Sequence, residues 1–176
     1  IIYGNEPISA DIDPIHLEKL KFPLFLEVTY QDSKYQITGK YQKVSDYDKS
    51  AKPMKYTIDR TADRLPFSIN TSVGIISLKR TEAKALPEGK VLKICIMSPT
   101  MAAVKYTKSL SVSQTSKTTT IAQLVLNDEM PKRATDYLKQ LAECYNRQAN
   151  EDKNEIALRT EQFINTRLEK INSELG

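Results

Sequence analysis

The chain reads as an α+β protein: a mixed β-sheet base packed by helices, with a long C-terminal helix projecting as an arm. Three observations predict this. Upstream of residue 98, apolar residues recur at every second position in short runs separated by turn residues, which is the pattern of strands. A single helical run follows Ser98 and Pro99. From Pro131 onward apolar residues recur at steps of three and four, and neither Gly nor Pro interrupts positions 132–175. The corresponding division is a base over 1–130 and a helix over 131–176, with the first third of the helix packed on the base and the remainder extended.

The elements can be justified in order. Asp13 and Pro14 open a short helical turn over 15–20, because an aspartate accepts from free amides at a helix start and a proline loses nothing there. Leu24, Leu26, Val28 and Tyr30 then alternate with Phe25, Glu27 and Thr29 as a strand. Gln31, Asp32, Ser33 and Lys34 supply a turn into a second alternation, in which Tyr35, Ile37, Gly39 and Tyr41 share one face. This predicts a hairpin with one wet face. Positions 44–63, rich in Asp, Lys and Ser and containing Pro53, read as a long connection holding one short strand at 56–58. Short strands at 65–69 and 73–79 follow, with Gly74 at the turn into the second. A turn at Pro87, Glu88, Gly89 and Lys90 leads into 91–97, whose apolar run suits a central strand. A sheet of five or six strands is expected.

Ser98 can cap a helix in which Met101, Ala102, Val104, Tyr106 and Leu110 pack. A strand at Ile94 feeding this helix, with a further strand at 110–112, predicts a βαβ crossover. The β-branched, alternating run 118–126 forms the last strand before the long helix.

The long helix is signalled by Asp128 and Glu129, which suit the positive end of its dipole, and by Pro131 in its first turn. Ala134, Leu138, Leu141 and Tyr145 form a stripe that must pack against something, widened by Tyr137, Ala142 and Cys144. Positions 147–155 carry only Ala149 as an apolar residue, so this stretch is solvated yet helical. The stripe returns at Ile156, Ala157, Thr160, Phe163, Ile164, Leu168, Ile171 and Leu175. As one piece the helix would span about 65 Å, against about 30 to 40 Å for a compact body of this chain length. The alternative is two antiparallel helices with a turn near Asn150, where the usual Gly is absent.

Composition narrows the function. The 176 residues, 40% hydrophobic and 27% charged, suit one domain, or one domain with an extension, around a core of modest size. A formal net charge of +4, from 26 basic and 22 acidic residues without a basic run, argues against nucleic acid. No apolar run approaches the roughly 20 residues that span a bilayer. Cys95, in an apolar strand pattern, and Cys144, on a helix face, read as two buried thiols, with a disulfide between them as the alternative. His16 is the sole histidine, so neither a histidine metal cluster nor a Ser/His/Asp triad can be assembled. No catalytic, cofactor-binding or metal-ligating residue is assigned. A chain that begins at Ile1 and ends at Gly176 with its stripe still running reads as a piece of a longer protein.

The order of these elements resembles a known family. The residues Ile94, Cys95, Ile96, then Ser98, Pro99, Thr100, Met101, Ala102 and Ala103, then Leu110, Ser111 and Val112, then Thr119, Thr120, Ile121 and Leu124, carry the first part. Asp128 to Ala134, Leu138, Leu141 and Tyr145 continue it, and Thr160 to Ile164, Arg167, Leu168, Ile171, Glu174 and Leu175 match its outgoing helix. Together they look like the periplasmic domain of the Wzz/Wzc polysaccharide co-polymerases, the chain-length determinant proteins. The likeness covers about 65–175; the hairpin before it fits only loosely.

The resemblance implies a segment held between two transmembrane helices that lie outside it, in the inner membrane of a Gram-negative bacterium. It also implies homo-oligomers that set the length or export of lipopolysaccharide O-antigen, capsule or exopolysaccharide, working with a polymerase or export machinery, with a glycan as a further partner. Pro99, Ala102, Pro131, Ala134, Leu138 and Tyr145 would be structural positions of that domain, and Phe163, Ile164, Leu168 and Ile171 its oligomer interface. Some members carry a cytoplasmic tyrosine autokinase. None of that module is in this chain, where Gly89 and Lys90 are followed by Val91 without the earlier glycine of a phosphate-binding loop. The family's returning helix is also missing here. No catalysis is expected of the segment itself, and no cofactor.

Other readings compete. The distal stripe could be buried against the sheet of its own chain. A carbohydrate-binding or adhesion module on a helical stalk would show a closed β-sandwich with an aromatic platform. An enzyme using Asp/Glu pairs would need a pair in a persuasive setting, and none stands out. The tyrosines at 30, 35, 41 and 56 invite a sugar-stacking reading, but alternating strand positions favour tyrosine anyway.

Overall fold

The computed structural model describes residues 2–45, 47, 50–116 and 121–175, the side chain of Leu175 excepted. The fold is α+β, with elements β1 Ile8–Ile12, α1 Pro14–Lys19, β2 Leu24–Gln31, β3 Lys34–Lys43, β4 Met54–Ala62, β5 Phe67–Thr71, β6 Gly74–Arg80, β7 Val91–Ile96, α2 Pro99–Ser109, β8 Leu110–Gln114, β9 Ala122–Leu126 and α3 Pro131–Leu175. Two compact units divide the chain, Ile1–Leu110 and Ser111–Gly176. The boundary falls earlier than the division at 130–131 drawn from the sequence, because β8 and β9 pair with each other in a two-stranded ribbon.

In the first unit, two antiparallel sheets, ordered β1-β6-β5 and β4-β3-β2-β7, replace the one sheet expected. Strand β2 shows why they close on one core. Its even positions Leu24, Leu26 and Val28 are fully buried, while Phe25 and Glu27 face solvent. They meet Ile37, Tyr41 and Ile58 from their own sheet and Ile8, Ile69, Ile76 and Leu78 from the other. The predicted hairpin forms: Gln31 pairs with Lys34, so Asp32 and Ser33 make the whole turn, both at positive φ (50° and 61°). The Asp32 amide donates to the Glu88 carboxylate and the Gly89 amide to the Tyr30 carbonyl, which ties this tip to the 87–90 turn.

Several expectations are corrected. The connection at 44–63 contains not a three-residue strand but the nine-residue β4, an edge strand whose Ile58 and Ala62 reach the core while Lys55, Asp59 and Arg60 stay in water. Strand β1, unforeseen, pairs with β6 from Ile8 to Ile12. Strand β7 is an edge of its sheet rather than a central member, and Val91, 52% exposed, lies on its outward face with Lys93 and Cys95. The βαβ crossover is not formed, since β8 pairs with β9 and not with β7. Positions 118–120 of the predicted last strand lie outside the described residues; β9 occupies its second half. Cys95 and Cys144 are both free, and Cys95 is exposed instead of buried because its position on β7 faces outward.

Helices α1 and α2 are capped as their sequences demand. The Asp13 carboxylate accepts from the amides of Ile15 (2.9 Å) and His16 (3.3 Å), and the buried Ser98 hydroxyl accepts from the Met101 amide at 3.3 Å. In the second unit α3 runs 45 residues as one helix, straight through Asn150, so the antiparallel pair is not adopted. At 1.5 Å per residue it is about 67 Å long. Its solvated middle is supported along the surface by Gln148–Asp152 (2.9 Å) and Glu155–Arg159 (2.5 Å), both at i,i+4 spacing.

Candidate functional site

Among the described residues no group of three or more His, Cys, Asp or Glu is placed to hold a metal ion. His16 lies on the surface beside Asp13, ring to carboxylate 3.3 Å. The hydrogen bond from the His16 amide, opposed by desolvation and then helped by the His16 ring and the Ile15 amide, holds the Asp13 carboxyl below the usual range of aspartate. Partial desolvation pushes the Cys95 thiol up, opposed by the nearby Lys105 ammonium. Both shifts are accounted for by local capping and packing. No helix among the described residues is long and apolar enough to cross a membrane.

The surface that stands out is the distal part of α3. Every described side chain from 150 to 174 is exposed. Phe163 is 63% exposed, Ile164 49%, Leu168 52% and Ile171 49%, so the four interface candidates share an uncovered apolar stripe, lengthened by Ile156. Within its own unit the stripe is not buried, and the β8-β9 ribbon does not cover it. The Arg167 guanidinium sits 5.6 Å from the Phe163 ring centroid and covers one side of it. Lys170 and Glu174 approach to 3.9 Å two turns beyond Phe163.

The start of α3 is built differently. Asp128 accepts from the Met130 amide at 2.7 Å and takes both guanidinium arms of Arg133, at 2.7 and 3.0 Å, with its side chain only 4% exposed. Asp128 and Pro131 were legible as a helix start; Arg133 was not, since a charged pair five residues apart leaves no periodic trace. Ala134 is buried and Leu138 and Leu141 half-buried, as the first stripe requires, but Tyr145 is 72% exposed, so that packed stretch ends a turn earlier than expected. In α2, Pro99 takes the first position and the half-buried Ala102 donates its amide to the Ser98 carbonyl at 3.0 Å.

The tyrosines form no platform. Tyr30 packs on Tyr35 (4.8 Å between centroids) and Tyr41 stacks on Tyr56 (5.0 Å), each pair being cross-strand register partners. Tyr41 is buried, its hydroxyl bonded to Ser72, and Tyr35 and Tyr56 pack against the same core. The exposed ring of the sheet is Phe25, which the alternation placed on the wet face without marking it as a site.

Compared with models of protein families, with curated proteins and with solved structures, the chain finds no match.

Proposed function

We propose that this chain is a non-catalytic periplasmic scaffold segment of an inner-membrane protein of the chain-length determinant kind, regulating the length or export of surface polysaccharide through homo-oligomerisation. The observation that supports the reading is the exposed stripe at Phe163, Ile164, Leu168 and Ile171 on the long helix α3, where the sequence resemblance would place an oligomer interface. Apolar area left in water costs about 25 cal/mol for each Å². A recurring stripe at helical spacing is matched most simply by the same stripe on a neighbouring copy. The polymerase or export machinery would act alongside such an assembly, and membrane attachment would come from helices outside the segment.

The test is made in cells producing the parent protein with Phe163→Asp and Leu168→Asp together. The expected outcome is a shifted length distribution of surface polysaccharide on a gel, with the protein present at normal abundance. An unchanged distribution at normal abundance would refute the proposal.

A second reading, a carbohydrate-binding or adhesion module on a helical stalk, draws on the two sheets of the first unit, whose inner faces contribute to one core. It is weakened by the tyrosines, which pair with one another and turn toward that core.

A further inference from the structure

The alternation of β2 assigns Leu24, Leu26 and Val28 to the core and places Phe25, Glu27 and Thr29 on the outer face of the β4-β3-β2-β7 sheet. Antiparallel register fixes the neighbours there. Phe25 stands between Lys40 and Cys95, with Thr57 beyond Lys40; in the adjacent row Glu27 stands between Thr38 and Lys93, with Asp59 beyond Thr38. Together Phe25, Glu27, Thr38, Lys40, Thr57 and Asp59 line a shallow groove of about 380 Å³, within the size range of small-ligand sites. Phe25 is 53% exposed, and its neighbours Leu24 and Leu26 fill the core without it. Its ring is therefore available from solvent, at one end of a row of hydrogen-bonding groups.

The chemistry of the lining restricts the occupant. Glu27 is paired with Lys93 at 3.3 Å, while Asp59 and Lys40 add one charge of each sign, so the groove is close to neutral. A polyanion would meet two carboxylates. An apolar peptide would desolvate those carboxylates and Lys40 without giving hydrogen bonds back, at several kcal/mol. An uncharged saccharide fits both halves: the C–H face of a pyranose lies on an aromatic ring, and its hydroxyls donate to carboxylates and accept from an ammonium and from threonine hydroxyls. We infer that this groove is a binding site for an uncharged oligosaccharide, with Phe25 as the stacking surface and Asp59, Thr38, Thr57 and Lys40 as its polar contacts. The inference uses no feature of α3 and stands apart from the oligomer reading.

The chain has no tryptophan, so Phe25→Trp creates a single fluorescent reporter in a conservative replacement. The probes are maltopentaose, cellopentaose and chitotetraose, with polygalacturonate as the anionic comparison. At least one neutral oligosaccharide is expected to shift the indole emission of the Phe25→Trp chain saturably, with a Kd on the order of 1 mM, and to move amide resonances of β2, β3 and β4 in the natural chain. Phe25→Ala is expected to weaken that binding at least tenfold with an unchanged melting temperature. Phe163→Asp with Leu168→Asp should leave it unaltered, which keeps this result separate from the test of α3. Binding to none of the three, binding of polygalacturonate alone, or equal binding by Phe25→Ala would each overturn the site.

Discussion

Single residues set the fine structure of the first unit. At Gly39 a Cβ would lie 2.6 Å from Leu26 Cδ2 and 2.7 Å from the Phe25 carbonyl oxygen, so the strand can approach its neighbour only where no side chain stands. Gly39→Ala is expected to lower stability by about 1–3 kcal/mol, read from urea unfolding, because backbone must yield. Asp13 gives the molecule an acid dependence. Its folded pKa lies below the ordinary 3.8, so its contribution is complete above the unfolded value and is lost as pH falls through the lower, folded one. Urea unfolding of Asp13→Asn should therefore show a shallower loss of stability than the natural chain between about pH 5 and pH 2. Equal slopes would contradict this. Caps such as Asp13 and Ser98 were legible because their partners lie within three residues. The exposure of Cys95 and Tyr145 was not, because it depends on which face of a strand is left uncovered and where a packed stripe ends.

At the scale of elements, what could be read followed from local pattern. The β2–β3 hairpin and α2 announced themselves by alternation, turn residues and a cap. Strand β4 did not, since Lys55 and Asp59 on its wet face, with the exposed Arg60 between Ile58 and Ala62 on the other, resemble a loop although Ile58 and Ala62 keep the period of two. Strand β7 looked central because Val91, Leu92, Ile94 and Ile96 are apolar, and β1 offered only five residues. Helix α3 was legible almost throughout, as no breaker interrupts it, and its continuity gives a sharp prediction. Spin labels at Lys132→Cys and Lys170→Cys, in a chain with Cys95→Ser and Cys144→Ser, should be separated by about 57 Å of helix rise. A distance near 10 Å, as between packed antiparallel helices, would mean that the helix folds back at Asn150.

For the whole molecule, the α+β class was legible, whereas the number of sheets was not. Pairing β1 with β6, or β2 with β7, joins strands some 65 residues apart, and no local signal encodes such a choice. The sequence also marked the distal stripe of α3 but left open what covers it. In the structure its side chains are exposed, and the proposed oligomer supplies the missing cover from other copies. Sedimentation velocity over a range of concentrations, comparing the natural chain with the Phe163→Asp, Leu168→Asp chain, tests this most directly. Concentration-dependent association of the natural chain, abolished by the two substitutions with the monomer's unfolding free energy changed by less than about 0.5 kcal/mol, is the expected result. Association unaffected by the substitutions, or a natural chain that stays monomeric throughout, would contradict it.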